Sequence, residues 1–114
     1  MTREYMDYIH DILNEINRIE KFILNQEFKE FLDDEKTSYA VVRSLEIIGE
    51  AAKNVPSEVR EKYKSIPWKK MVGMRDKLIH GYTGVDLQIV WKTIKEDLPG
   101  IKPSLQKVID DKGS

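Results

Sequence analysis

From Tyr5 to Ile23 the chain keeps one apolar stripe at helical spacing. Tyr5, Ile9, Ile12, Leu13, Ile16, Ile19 and Ile23 recur with charged residues between them. A helix of this kind must bury its stripe against other elements, and the rest of the chain offers only helices to do so. Period-two alternation is absent, and the β-branched residues fall on helical stripes. Phe28, Phe31 and Leu32 suggest a helical turn before Asp33-Asp34. A second long helix runs through Ala40, Val41, Leu45, Ile48, Ala51 and Ala52, capped by Thr37 or Ser38 and ending near Asn54-Val55-Pro56. Gly49, Ala51 and Ala52 are small enough to let another helix approach closely, as a centre of packing or a dimer seam. The short connection predicts that these two long helices pair antiparallel.

Beyond Pro56 the pattern continues. A short helical piece runs from Ser57 to about Ser65, and Pro67 opens a helix through Trp68, Met71, Val72, Met74, Leu78 and Ile79 that stops at Gly81. Thr83-Gly84 forms a turn, and Asp86 or Thr83 caps a helix through Leu87, Val90, Trp91 and Ile94 that ends at Pro99-Gly100. A last short helix covers about Pro103 to Ile109, with a frayed tail at 110–114. The expected architecture is all-α: an up-and-down-type bundle of four main helices with short additional ones, in one domain spanning residues 1–114.

Net charge is −1, which argues against a protein that coats nucleic acid through overall basicity. The average conceals an asymmetry. Residues 1–35 hold ten acids against four bases, whereas Trp68 to His80 holds Lys69, Lys70, Arg75 and Lys77 against Asp76 alone. With no cysteine, disulfides, thiolate metal sites and cysteine nucleophiles are excluded. No apolar run is long enough for a signal peptide or membrane span, so the expected setting is the cytoplasm, without membrane association.

The chemistry-bearing residues concentrate in Arg75-Asp76-Lys77-Leu78-Ile79-His80-Gly81-Tyr82. Only His10 and His80 are histidines, and no spacing suits a histidine metal site, so neither metal nor cofactor is expected. Asp76, four residues before His80, shares its helix face and can orient the imidazole. Arg75 lies about 140° around an ideal helix from His80, yet its length and the loosening at Gly81 allow the two to converge. A titratable base beside a guanidinium suits RNA cleavage. The base takes the proton of a 2′-hydroxyl, and the guanidinium holds the charge that grows on the phosphorane. One histidine cannot readily be base and acid in the same step, but a two-fold dimer would bring a second His80 and Arg75 to a shared cleft. A plainer reading stays open on spacing alone: surface charges at Arg75 and Asp76, and a helix-end histidine beside the negative end of the dipole. Trp68 and Trp91 read as core or interface, and Tyr5, Tyr8, Tyr39 and Tyr63 likewise.

Arg75-x4-His80-x-Tyr82 resembles the motif of the HepT-like toxins, a branch of the HEPN (higher eukaryote and prokaryote nucleotide-binding) superfamily. The stretch from Arg43 through Gly49-Glu50-Ala51-Ala52 to Asn54 is similar to the family's second helix. Ile66-Pro67-Trp68, Val90-Trp91-Lys92 and Asp97-Leu98-Pro99 resemble its flanks, and the likeness runs from about Tyr5 to Leu105. The resemblance implies an HEPN-like helical homodimer with a composite active site. It implies a metal-independent endoribonuclease acting on RNA through Arg75 and His80, with Asp76 beside them. It also implies a type II toxin silenced by its antitoxin, a minimal nucleotidyltransferase that AMPylates Tyr82 and leaves a phosphoprotein. The alternative is a non-catalytic module that binds nucleotide through the same residues and docks the nucleotidyltransferase.

Overall fold

The computed structural model describes residues 4–74, 76 and 84–113. The architecture is all-α, and no strand occurs among the described residues. Helices α1 (Tyr5–Phe22), α2 (Phe28–Asp33), α3 (Glu35–Lys53), α4 (Ser57–Lys62) and α5 (Trp68–Val72) come first. Helix α6 (Leu87–Lys92) passes through a π-helical turn, Thr93–Asp97, into α7 (Leu98–Gly113).

Helix α1 is the centre of the fold. Its stripe Ile9, Ile12, Ile16 and Ile19 is buried and packs on α3 and α7. Each such isoleucine contributes about 1.5–3 kcal/mol of hydrophobic stabilisation. The N-terminal half of α1 (Tyr8, Asp11) lies beside the C-terminal half of α3 (Glu50, Asn54), so the two helices are antiparallel as expected. Helix α7 is also antiparallel to α1. Lys102, early in α7, bonds Glu20 late in α1 at 2.7 Å, and Lys112, near the end of α7, stands 5.0 Å over the Tyr5 ring. Of the two roles open to the small residues of α3, the structure shows packing: Gly49, Ala51 and Ala52 are buried within the chain.

Besides α5, which ends at Val72 with Gly73 at its C-cap where the sequence reading carried the helix on through Met74 towards Gly81, two boundaries differ from the sequence expectation. Helix α3 is capped by Asp34 rather than Thr37 or Ser38. Its carboxylate accepts from the Thr37 N–H at 3.0 Å and the Thr37 hydroxyl at 2.6 Å, and Gln26 Nε2 adds a bond at 2.9 Å. These donors hold the Asp34 carboxyl below the usual carboxylate range, the Thr37 hydroxyl foremost.

The second difference is at the C-terminus, where the helix does not stop at Pro99-Gly100. Pro99 lacks an N–H and its ring crowds the carbonyl four residues back, at Lys95. The π-helical turn over Thr93–Asp97 widens the spiral there. Leu98, Ile101, Leu105 and Val108 then form a buried stripe that keeps α7 helical through Pro103. Tertiary burial overrides the local breaker. Nor is the stretch from Asp110 to Lys112 frayed: it remains helical, and Asp111 accepts a hydrogen bond from the Tyr63 hydroxyl at 3.0 Å.

Candidate functional site

Of the residues singled out by the sequence, Arg75, His80 and Tyr82 lie outside the described residues. Asp76 is helical and exposed, open to the role of orienting a neighbour. The contact expected between Asp76 and His80 involves a residue outside the described set.

The flanks show how the chain delivers this segment. Upstream, α5 is fixed by its apolar side: Trp68 is 5% exposed, Met71 is buried, and the helix packs on α3; Met74, just beyond it, is buried too. Trp68 Nε1 donates to the Tyr63 carbonyl at 3.1 Å, which pins the start of α5 to the end of α4. Pro67 sits at the cap of α5, one residue earlier than its expected place in the first turn. At Gly73 an added Cβ would stand 3.3 Å from the Lys69 carbonyl, so a small residue suits the backbone there. Downstream, Gly84 has φ +82°, a left-handed conformation that glycine adopts without penalty. Asp86 then caps α6, accepting from Gln88 N at 3.0 Å and Ile89 N at 3.2 Å.

Two of the grooves in the described surface differ sharply in charge. The first, of about 440 Å³, runs between α1 and α3 and is lined by Tyr8, Asp11, Arg43, Glu46 and Glu50 among others. Three acids against one arginine make it unattractive to phosphate. The second, of about 610 Å³, lies under the α4–α5 connection. Arg60, Glu61, Lys64, Lys69 and Lys70 line it, with Ile66, Pro67 and the buried Trp68 as its apolar floor. Arg60 also has a structural task there. Its Nε donates to Val55 O at 3.0 Å, and its Nη2 to Ala52 O at 3.0 Å and Lys53 O at 2.8 Å, closing the C-terminal end of α3.

The sequence marked Lys69 and Lys70 as part of a basic stretch but neither groove as a whole, because each draws residues from two helices. A further feature missed was Glu15. Three residues past Ile12 it falls on the buried face, and its side chain is 8% exposed. Oε2 pairs with Arg18 at 2.9 Å, while Oε1 has no hydrogen-bond partner among the described residues. Trp68 and Trp91 behave as expected, Trp91 packing on Phe31 at 5.0 Å and Phe28 at 6.0 Å between ring centres, whereas Tyr39, expected in the core or an interface, is 71% exposed on the surface of the chain. His10 is exposed on α1. Among the described residues, no three His, Asp or Glu side chains converge on a metal position, and no helix is long and apolar enough to cross a membrane.

The helical frame and the residues flanking 75–83 can now be set beside known proteins. The sequence model described as "Ribonuclease HepT-like" matches residues 12–108. This chain belongs to the HepT-like ribonuclease family. It is similar to a protein of Thermococcus cleftensis named "Probable ribonuclease HepT", 49% identical over 95% of this chain and 98% of that one. Two proteins of Methanocaldococcus jannaschii, each named "Putative RNase", are 48% and 45% identical. Each alignment spans 96% of this chain, and they cover 90% and 94% of those proteins respectively. No solved structure gives a significant match.

Proposed function

We propose that the chain is a metal-independent endoribonuclease, the toxin of a type II toxin–antitoxin pair working in the cytoplasm. The observation that carries this reading is the family match over residues 12–108, which spans Arg75, Asp76, His80 and Tyr82. That relatives of nearly equal length are named as ribonucleases supports it further.

The chemistry follows from the residue types. Neutral His80 removes the proton of an RNA 2′-hydroxyl, and the 2′-oxygen attacks the adjacent phosphorus. Arg75 holds the non-bridging oxygens as charge grows on them. The bond from phosphorus to the 5′-oxygen breaks, leaving a 2′,3′-cyclic phosphate. A protonated histidine supplies the proton that the leaving 5′-oxygen needs. Each chain brings a single His80, so that acid is His80 of a second copy in a homodimer. Asp76 orients the imidazole. A minimal nucleotidyltransferase antitoxin silences the site by moving AMP from ATP onto the Tyr82 hydroxyl, with pyrophosphate leaving. The added bulk and negative charge then stand beside Arg75 and His80.

The test is incubation of the purified protein with RNA in excess chelator, followed by analysis of the new ends. Cyclic phosphate and 5′-hydroxyl ends are expected. Intact RNA, with antitoxin and AMP removed, contradicts the proposal. Mass mapping after treatment with the antitoxin and ATP should find AMP on Tyr82, and AMP found only on Tyr63 would overturn the regulatory part.

A further inference from the structure

We infer that the groove under the α4–α5 connection is a binding strip for the phosphate backbone of single-stranded RNA, carried on the chain just ahead of the segment that begins at Arg75. It rests on the nuclease reading only for the identity of the polyanion. Arg60, Lys64, Lys69 and Lys70 stand with Glu61 in the lining and with Asp97 beside Lys70, a local charge of +2 (4 − 2) on a chain whose total is −1. A nearly neutral chain with a basic groove has concentrated positive potential there.

The cations are available. Lys64 meets Glu61 at 3.4 Å with both side chains about three-quarters exposed, and Lys70 meets Asp97 at 3.5 Å. Solvated pairs at such distances are worth little and exchange readily for phosphate. Lys69 is exposed and has no ion pair among the described residues. Arg60 is different, being spent on three backbone carbonyls, so it adds field rather than a contact.

The floor narrows the ligand further. Ile66, Pro67 and the buried Trp68 are apolar. The one indole donor there is already bonded to Tyr63 O. Base edges therefore find no floor donor to read, and recognition runs through the backbone, without sequence preference. Lys69 and Lys70 lie in the first turn of α5, and in the sequence Arg75 follows Lys70 by five residues.

The test uses full-length protein carrying His80→Ala, so that RNA is bound and not cut. The triple variant Lys64→Gln, Lys69→Gln, Lys70→Gln is compared with its parent by anisotropy of fluorescein-labelled oligouridylate over a range of salt. Arg60 is left intact because it holds α3. Three lost phosphate contacts should weaken binding by about tenfold or more at low salt and lower the slope of log K against log salt by about 2. The triple Lys→Arg variant should keep the parent's slope.

An unchanged slope and affinity in a folded glutamine variant overturns the inference, and so does failure of the parent to bind oligouridylate. Equal binding of polyglutamate, lost in the same variant, overturns the assignment to RNA and leaves a docking strip for an acidic protein. The two readings separate cleanly. Wild-type protein that binds RNA through the lysines without cutting it sinks the nuclease alone. Cleavage whose KM and salt dependence ignore the lysines sinks the strip alone.

Discussion

The α1–α3 groove and the α4–α5 groove are comparable in size and opposite in charge. The first sits in the seam between the two longest helices of the first half of the chain, and carries Asp11, Glu46 and Glu50. The second is made by two short helices and the connection between them, and carries Lys64, Lys69 and Lys70. A polyanion is repelled by the first and attracted by the second. A net charge near zero thus says little about partners, because the chain separates its charges in space. The grooves also differ in what holds them. The acidic one is set by the buried packing of Ile9, Ile12, Leu45 and Ile48. The basic one depends on a few particular bonds from Trp68, Tyr63 and Arg60.

That difference can be broken most severely at Trp68. Trp68→Ala removes a buried ring and the bond to Tyr63, and should destabilise the fold by about 3–5 kcal/mol in denaturant unfolding. A loss below about 1 kcal/mol would mean that the basic groove does not need its floor. Arg60→Ala should come next, at about 2 kcal/mol, because charge-assisted bonds to three carbonyls of the α3 terminus are lost. Equal cost for Lys69→Ala would erase the distinction between the structural cation and the exposed ones.

Charge reversal in the acidic groove is a smaller effect. Glu46→Lys with Glu50→Lys should raise affinity for single-stranded RNA a few-fold at low salt and leave stability nearly unchanged. Weakened RNA binding would show that the acids take part in recognition. The smallest effect is the alkaline behaviour of Tyr63. Burial, and then the bond to Asp111, raise its phenol above the ordinary tyrosine value. The neutral form is the one favoured in the fold. Its stabilisation is therefore complete below the ordinary tyrosine pKa and disappears as pH rises through the raised one. Thermal melts of wild type should fall more steeply in that window than those of Tyr63→Phe, and parallel curves would contradict the assignment.

Much of this fold is legible in the sequence, for reasons that also explain the gaps. The stripe through Ile9, Ile12, Ile16 and Ile19 declares α1 because a periodic apolar face is a local signal. Glu15 is hidden within the same pattern, as a carboxylate on a buried face reads like any surface acid until packing is known. The Asp34 cap was displaced by three or four residues because Thr37 and Ser38 are equally good cap residues by type. The passage through Pro99 was invisible because it rests on Leu98, Ile101 and Leu105 being buried against other helices. Arg60 acts on carbonyls five to eight residues back, a relation no periodic pattern records. Among the candidate site residues, Arg75, His80 and Tyr82 are legible as residue types in a family motif. The basic groove draws Lys64 from the α4–α5 connection and Lys69 and Lys70 from α5, which share no stripe.

The central claim is that Arg75 and His80 cleave RNA, and the most direct measurement is single-turnover cleavage of an end-labelled RNA in chelator by wild type and His80→Ala. Removal of a general base costs about 10²–10⁴ in rate. The expected result is a loss within that range, with the dimer intact by light scattering and RNA binding retained. Cleavage by His80→Ala at the wild-type rate would contradict it.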